Sequence, residues 1–350
     1  MLSPRMSPRA QLPDFTRLSV AVLGDPIADH WLFAQPTRLS REAPVMVLRH
    51  EREELGAGGA ANVARNLRAL GASVSLFGLV GRDAHGRELA VLLEKEGIDV
   101  DGLQTVAGWT TPTKTRILAA EARRSPHQVL RIDREPRSAA PEAERTRVHA
   151  ALRDALQRFD ALVVSDYGYG LVAPETADVA AAFRRCGRVA VLDPRANVEV
   201  FRGALTALTP NVGELARFAR VDPDRLDDVV ELRSAAREIV ARLEPEWLLV
   251  TRGNLGMTLF SASETDGIAV EASGDGEVTD VTGAGDTAAA VFALALAARC
   301  EPARAMELAN AAAGVVVMEN GAAVCRPNEL AAALAQAPAA VRLARTERRA

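Results

Sequence analysis

Short apolar runs alternate with longer amphipathic stretches over most of this chain, a pattern that predicts strands and helices in turn. The first run, residues 18–24, is apolar with no polar phase, as in a strand buried on both faces of a parallel sheet. A Gly/Ala-rich segment over 56–62 leads into a helix ending near Leu70, followed by a strand over 73–80 and a helix over 87–96. From residue 141 the alternation is regular: helix 142–158, strand 161–164, helix 174–185, strand 189–192 and a short strand at 204–208. Helices over 212–219 and 229–243 then precede a strand at 247–250. Residues 257–261 and 267–271 read as an antiparallel pair, and helices over 287–299, 302–319 and 327–336 complete the pattern.

Two stretches break the alternation. Residues 31–33 and 45–50, then 113–119 and 128–132, have β character but no place in a β/α unit. They predict a small second sheet outside the main core, with lid segments at about 30–55 and 103–134. The expected whole is one α/β domain over 18–338, with a disordered leader over 1–17 and a charged tail over 339–350.

Composition narrows the partners more than the fold. The 350 residues are 48% hydrophobic with a net charge of −4, so neither nucleic acid nor an anionic membrane is indicated. No apolar run approaches a membrane span, and residues 1–17 lack the apolar centre of a secretory signal. Cys186, Cys300 and Cys325 are too few and too scattered for a disulfide framework, which makes a reducing cytoplasm the expected location. Lys95 and Lys114 are the only lysines in an arginine-rich chain.

The candidate chemistry gathers at predicted strand ends, where open α/β sheets hold their ligands. Asp25 and Asp29 follow the first strand; Ser165 and Asp166, Asp193 and Arg195, Thr209 and Asn211, and Thr251 to Gly253 follow later ones. The stretch 280–287, between an apparent strand and a long Ala-rich helix, reads Asp-Val-Thr-Gly-Ala-Gly-Asp-Thr. Its Gly283-Ala284-Gly285 turn would expose amides at the positive end of a helix dipole, and Asp286 puts a carboxylate beside that anion hole. One can hold a transferring phosphoryl group and the other can take a hydroxyl proton; a plain N-terminal cap is the alternative. Gly58, Gly59 and Asn62 form a second small-residue wall that suits sugar hydroxyls, or simply tight helix packing. Asn211 and Glu214, three apart at a helix start, suit a hydrated Mg²⁺ bound to phosphates but equally a capping box. Lys114, Arg116, Arg131, Arg195 and Arg252 are cations available to phosphate groups.

These motifs resemble the two signatures of the ribokinase-like (PfkB-type) sugar kinases. Gly58-Gly-Ala-Ala-Asn62 with Ala64, Gly71 and Gly81 is similar to the first, and Asp280 to Asp286 to the second, in a likeness running from about Leu18 to Leu330. The resemblance implies a three-layer fold with a mostly parallel central sheet and a small β lid, often used for dimerisation. It implies Asp286 as the base and Gly283, Ala284 and Gly285 as the anion hole. It places Asn211 and Glu214 at the Mg²⁺–phosphate motif, Asp193 and Arg195 among the nucleotide contacts, and Thr251, Arg252, Gly253 and Gly256 around the ATP phosphates and ribose. Asn310 and Ala313 fall near the adenine. Within the family the chain is most similar to the D-glycero-β-D-manno-heptose-7-phosphate kinases, through 37–45, 113–116, 129–133, 165–168 and 310–314. That implies phosphorylation of an anomeric hydroxyl in ADP-heptose biosynthesis. Asp29, Asn62 and Asp286 would meet the sugar, with Lys114, Arg116 and Arg131 around it or its phosphate. ATP and Mg²⁺ are the implied cofactors, with activation by a monovalent cation left open, and a homodimer and a separate nucleotidyltransferase are the implied partners. Two positions depart from the subfamily: Tyr169 and Arg195 stand where it usually has lysine. A kinase for another sugar, sugar acid or nucleoside, and a non-catalytic sugar- or nucleotide-binding regulator, are the alternatives.

Overall fold

Every second side chain of β1 (Ser19–Gly24) enters a different core: Val20 and Val22 one, Ala21 and Leu23 the other. That two-sided burial explains why the run has no polar phase. The computed structural model describes residues 11–120, 126–274, 280–319 and 321–343. β2 (Pro26–Leu39) and β3 (Met46–Gly59) leave the core as a long antiparallel hairpin, and β3 runs directly into α1 (Ala60–Ala69). β4 (Ser73–Gly81), α2 (Ala84–Lys95) and β5 (Leu103–Val106) return to the main layer. β6 (Thr113–Ala119) and β7 (His127–Arg134) then complete a small sheet in the order β3-β2-β6-β7.

The regular half runs α3 (Glu142–Asp154), β8 (Ala161–Ser165), α4 (Pro174–Arg185), β9 (Val189–Asp193), β10 (Ala207–Leu208), α5 (Val212–Ala219), α6 (Val229–Leu243) and β11 (Trp247–Thr251). It continues through β12 (Met257–Phe260), β13 (Ile268–Val270), α7 (Ala284–Ala297), α8 (Pro302–Val316), α9 (Pro327–Gln336) and β14 (Val341–Arg342). Among the described residues the main sheet has the order β14-β13-β12-β11-β10-β9-β8-β1-β4-β5, parallel from β11 to β5 and antiparallel beyond β11. α1, α7, α8 and α9 contribute to one core and α3, α4, α5 and α6 to the other, giving three layers. α7 is apolar on all sides because it is enclosed, with Asp286 to Ala295 all buried between α1, α8 and the sheet.

β1 pairs with β4 on one side and β8 on the other. The chain therefore leaves β1 in both directions, and this switch point opens a crevice at the strands' carboxyl ends. The first turn of α7 and the lid both meet there, because Trp31 of β2 packs on Gly321 and Lys114 of β6 lies over the Tyr167 ring.

Several expected boundaries are corrected. The lid strands β2 and β3 are far longer than 31–33 and 45–50; bulges at Phe33/Ala34 and Pro36/Arg38 break the alternation that would reveal them. β5 lies within the expected lid segment but pairs with β4 in the main sheet. The strand expected at 204–208 shortens to β10. The domain begins before Leu18, since Phe15 is buried in the first core; residues 1–10 of the expected leader lie outside the described residues. The charged tail contributes β14, paired with β13, while 344–350 lie outside the description, as do 275–279 just before the 280–287 stretch.

Candidate active site

Helix α7 starts at the crevice because Gly283, its N-cap, takes a φ of 80° that other residues resist. A Cβ there would also meet the Asn62 side chain at 2.5 Å, so the position needs glycine twice over. Asp286, in the helix's first turn, is buried. Its two oxygens have separate donors: Asn62 Nδ2 reaches Oδ2 at 3.0 Å, and the Tyr167 hydroxyl reaches Oδ1 at 2.9 Å. The Asn62 side chain is itself oriented by Asn66, whose Nδ2 donates to Asn62 Oδ1 at 3.3 Å. Burial pushes the Asp286 carboxyl up to about 6, against the lowering effect of those two donors and of Lys114. A carboxylate with that value is ionised at neutral pH yet basic enough to take a proton.

On one side of Asp286 lies a cavity of about 210 Å³, lined by Asp193, Arg195, Asn211, Glu214, Gly283 and Gly285 among others. Asn211 and Glu214 do form a capping box: Glu214 N donates to Asn211 Oδ1 at 2.9 Å, and Asn211 N to Glu214 Oε2 at 3.0 Å. The box fixes both side chains at the cavity wall. Asp193 is held well above the ordinary carboxyl range by burial first, then by Asp286 and Glu214. Burial likewise raises Glu214 and Asp166. Carboxyls crowded in this way favour a cation with its hydration water, which fits Mg²⁺. Among the described residues no three His, Cys, Asp or Glu are grouped so as to hold a metal ion by themselves.

A second cavity of about 740 Å³ meets the first at Thr251 and Gly285. Gly253, Gly256, Asn310 and Ala313 line it, with apolar walls from Leu255, Val281 and Val317. Asn310 is buried and fixed by donating to the Glu271 carbonyl at 2.9 Å. A chamber with apolar walls is thus joined to a polar one.

The lid forms the other wall. Asp29 on β2 and Arg116 on β6 make a buried ion pair, and Gly58 lies so close that a Cβ would collide with the Asp29 carboxylate. Lys114, paired in register with Asp29, lies 5.0 Å from the Tyr167 ring centroid, and burial lowers its pKa. Arg131 on β7 is held by Asp133 through two bonds, of 2.8 and 2.6 Å.

Most of the expected residues therefore converge. Arg252 lines neither cavity, and the Cβ direction of Gly59 points at the Asp25 carbonyl and Ile27, so its local contacts are those of the strand-to-helix turn. The Ala284 amide is spent on the Val281 carbonyl at 3.3 Å. Tyr167 was missed as a site residue, although both tyrosines of the chain fall in one loop at a strand end. Asp25, expected among the ligand contacts, instead accepts the Tyr167 and Tyr169 amides at 3.0 and 3.2 Å. Burial raises its carboxyl to about 7.

Comparison with known proteins bears on the family and the fold. The description "pfkB family carbohydrate kinase" fits residues 17–329. Bifunctional protein HldE of Halorhodospira halophila is 41% identical over 330 residues, covering 94% of this chain; the chain spans 66% of that relative's length. Arabidopsis thaliana ribokinase complexed with ribose and ATP superposes with a TM-score of 0.69 at 19% identity, covering 91% of this chain and 98% of that one. Phosphofructokinase-2 from Escherichia coli in complex with potassium gives 0.72 at 19%, covering 91% and 99%. The two solved structures bear on the fold alone.

Proposed function

The chain belongs to the pfkB family of carbohydrate kinases, and from that premise we propose that it transfers the γ-phosphoryl of ATP to the anomeric hydroxyl of D-glycero-β-D-manno-heptose 7-phosphate. The observation that carries the reaction class is Asp286, a buried carboxylate with two fixed donors beside a helix start and a polar chamber. The heptose reading rests on the resemblance of residues 37–45, 113–116, 129–133, 165–168 and 310–314 to the heptose-7-phosphate kinases, beside the similarity to bifunctional protein HldE.

In this reading the sugar lies between the lid and α1, with Asp29 and Asn62 meeting hydroxyls. The acceptor hydroxyl donates its proton to Asp286 as its oxygen bonds to the γ-phosphorus, and the bond from phosphorus to the β–γ bridging oxygen breaks. Gly283 and Gly285 line the chamber that takes the phosphates, at the positive end of α7. Thr251 stands where the two cavities join, and Asn310 and Ala313 would border the adenine. When bound, Mg²⁺ supplies charge neutralisation of the phosphates, held through water by Asn211 and Glu214. A monovalent cation is a further candidate activator. The lid excludes water from the reacting atoms. A homodimer through the lid is part of the same proposal, supported by exposed Val129, Leu130 and Ile132 on β7. A nucleotidyltransferase would act next on the product.

A second reading draws on the lid. Arg116 and Arg131 already have carboxylate partners, which favours an acceptor without a distal phosphate. An ADP-release assay across sugars, with the phosphorylated position read by NMR, decides between them. Heptose 7-phosphate is expected to turn over far faster than any unphosphorylated hexose; equal rates would remove the heptose assignment.

Gly285 offers a test of the phosphate chamber. Nothing lies within 4 Å of where its Cβ would stand, and it lines both cavities. Gly285→Ala should fold normally, with helix stability unchanged or raised by up to about 1 kcal/mol, yet bind ATP at least several-fold more weakly in calorimetry. Unchanged ATP affinity would place the phosphates elsewhere.

A further inference from the structure

Tyr167 stands apart from the expected sugar and nucleotide contacts, yet it touches the carboxylate at the centre of the site. Resting on the kinase reading, we propose that Tyr167 is a positioning residue for Asp286: its hydroxyl fixes one oxygen of the base so that the remaining lone pairs face the acceptor hydroxyl.

Three observations carry this. The Tyr167 hydroxyl donates to Asp286 Oδ1 at 2.9 Å while Asn62 Nδ2, on α1, donates to Oδ2 at 3.0 Å. A carboxylate held at both oxygens cannot rotate about its χ2 axis without losing a bond. Each oxygen retains one acceptor position, since a carboxylate offers about four in all. Second, the loop that carries Tyr167 is itself anchored. Asp25, at the end of β1, accepts the Tyr167 amide at 3.0 Å and the Tyr169 amide at 3.2 Å. The phenol is thus placed from the rigid centre of the sheet. Third, the Lys114 ammonium of the lid lies 5.0 Å from the ring centroid, so a lid residue packs against the positioning group.

A buried tyrosine hydroxyl needs a partner, and a backbone carbonyl would satisfy it. A carboxylate does more: a donor to the charged form favours ionisation of a group that burial otherwise keeps protonated. Removing the donor should make Asp286 harder to ionise. Asp29, Asp193 and Lys114 are the other charged groups facing this pair, and a substitution at Tyr167 leaves all three in place.

The test reads Asp286 directly and needs no assumption about the sugar. Protein labelled with ¹³C at aspartate carboxyls is titrated by NMR, with Asp286→Asn identifying the resonance. In Tyr167→Phe the midpoint should rise by about half to one pH unit, the scale of one neutral hydrogen bond to a carboxylate. The acid limb of kcat should follow it with any sugar that turns over, while KM for ATP stays put. Replacement of Tyr167 by 3,5-difluorotyrosine, a stronger donor, should bring the midpoint back to or below the wild-type value. A midpoint unmoved in Tyr167→Phe, or a difluorotyrosine protein that titrates like the phenylalanine one, overturns the proposal. Failure of heptose 7-phosphate as a substrate would overturn only the heptose reading.

Discussion

Asp286→Asn should lower kcat by about 10²–10⁴-fold, the usual contribution of a general base, while ATP still binds with its normal affinity. The amide is nearly isosteric and can keep both local bonds: its oxygen accepts from Asn62, and its NH₂ donates to the Tyr167 oxygen, which can also accept. What it cannot do is take a proton. In the wild type, kcat should fall as pH drops through about 6, where burial places the Asp286 titration. The same burial sets the sign of the stability effect. The folded-state value of about 6 lies above the ordinary 3.8, so the folded protein prefers the protonated carboxyl. Its stabilising contribution is complete below the ordinary value and lost as pH rises through about 6. Above that, the ionised base burdens the fold, and the asparagine variant should melt at a higher temperature than wild type at pH 8. The gap should close toward pH 4. Activity within a factor of ten of wild type, measured by ADP release, would remove Asp286 from the mechanism.

Much of the site was legible because parallel strands announce themselves as apolar runs and the residues after each run must then share one edge. Asp193, Asn211, Glu214, Thr251 and Asp286 could be placed together on that argument, and they line connected cavities. The family signatures also survive in local backbone: Gly283 needs its positive φ, and Gly58 lies against Asp29. Side-chain pairing was not legible. Nothing in the order of residues says that Arg116 spends its charge on Asp29, since the register between β2 and β6 decides it; Asp133 claims Arg131 from two positions along the same strand, β7. The lid's extent was hidden for a related reason: β2 and β3 carry charged and apolar residues on both faces, with bulges that shift the phase. Tyr169 shows the limit differently. It stands where the subfamily resemblance leads one to expect lysine, and its hydroxyl donates to Glu135 at 3.1 Å, beside the end of β7. The position thus keeps a polar contact toward the lid but carries no cation there.

Asp29→Ala should have the largest effect on stability among the site substitutions, and it separates two roles that the wild type combines. Asp29 and Arg116 are almost fully enclosed, with side-chain exposures of 3% and 10%. Removing one member of a buried pair leaves the other uncompensated, at a cost of about 3–5 kcal/mol. Here the remaining charge would sit on β6 two residues from Lys114 and opposite Arg131 in register, and the acids near it, Asp133 and Asp280, already have hydrogen-bond donors of their own. Urea unfolding should report that loss, and the proposed sugar contact predicts a raised KM for the sugar as well. The two effects come apart in the double variant Asp29→Ala with Arg116→Met. It discards the stranded charge and replaces it with an apolar chain of similar reach, so most of the stability should return. Sugar affinity should not, because the carboxylate that meets the hydroxyls is still missing. A double variant that recovers both stability and KM would show that Asp29 serves only its arginine. A single variant that loses less than about 1 kcal/mol, the range of an exposed pair, would show that the lid opens enough in solution to hydrate Arg116.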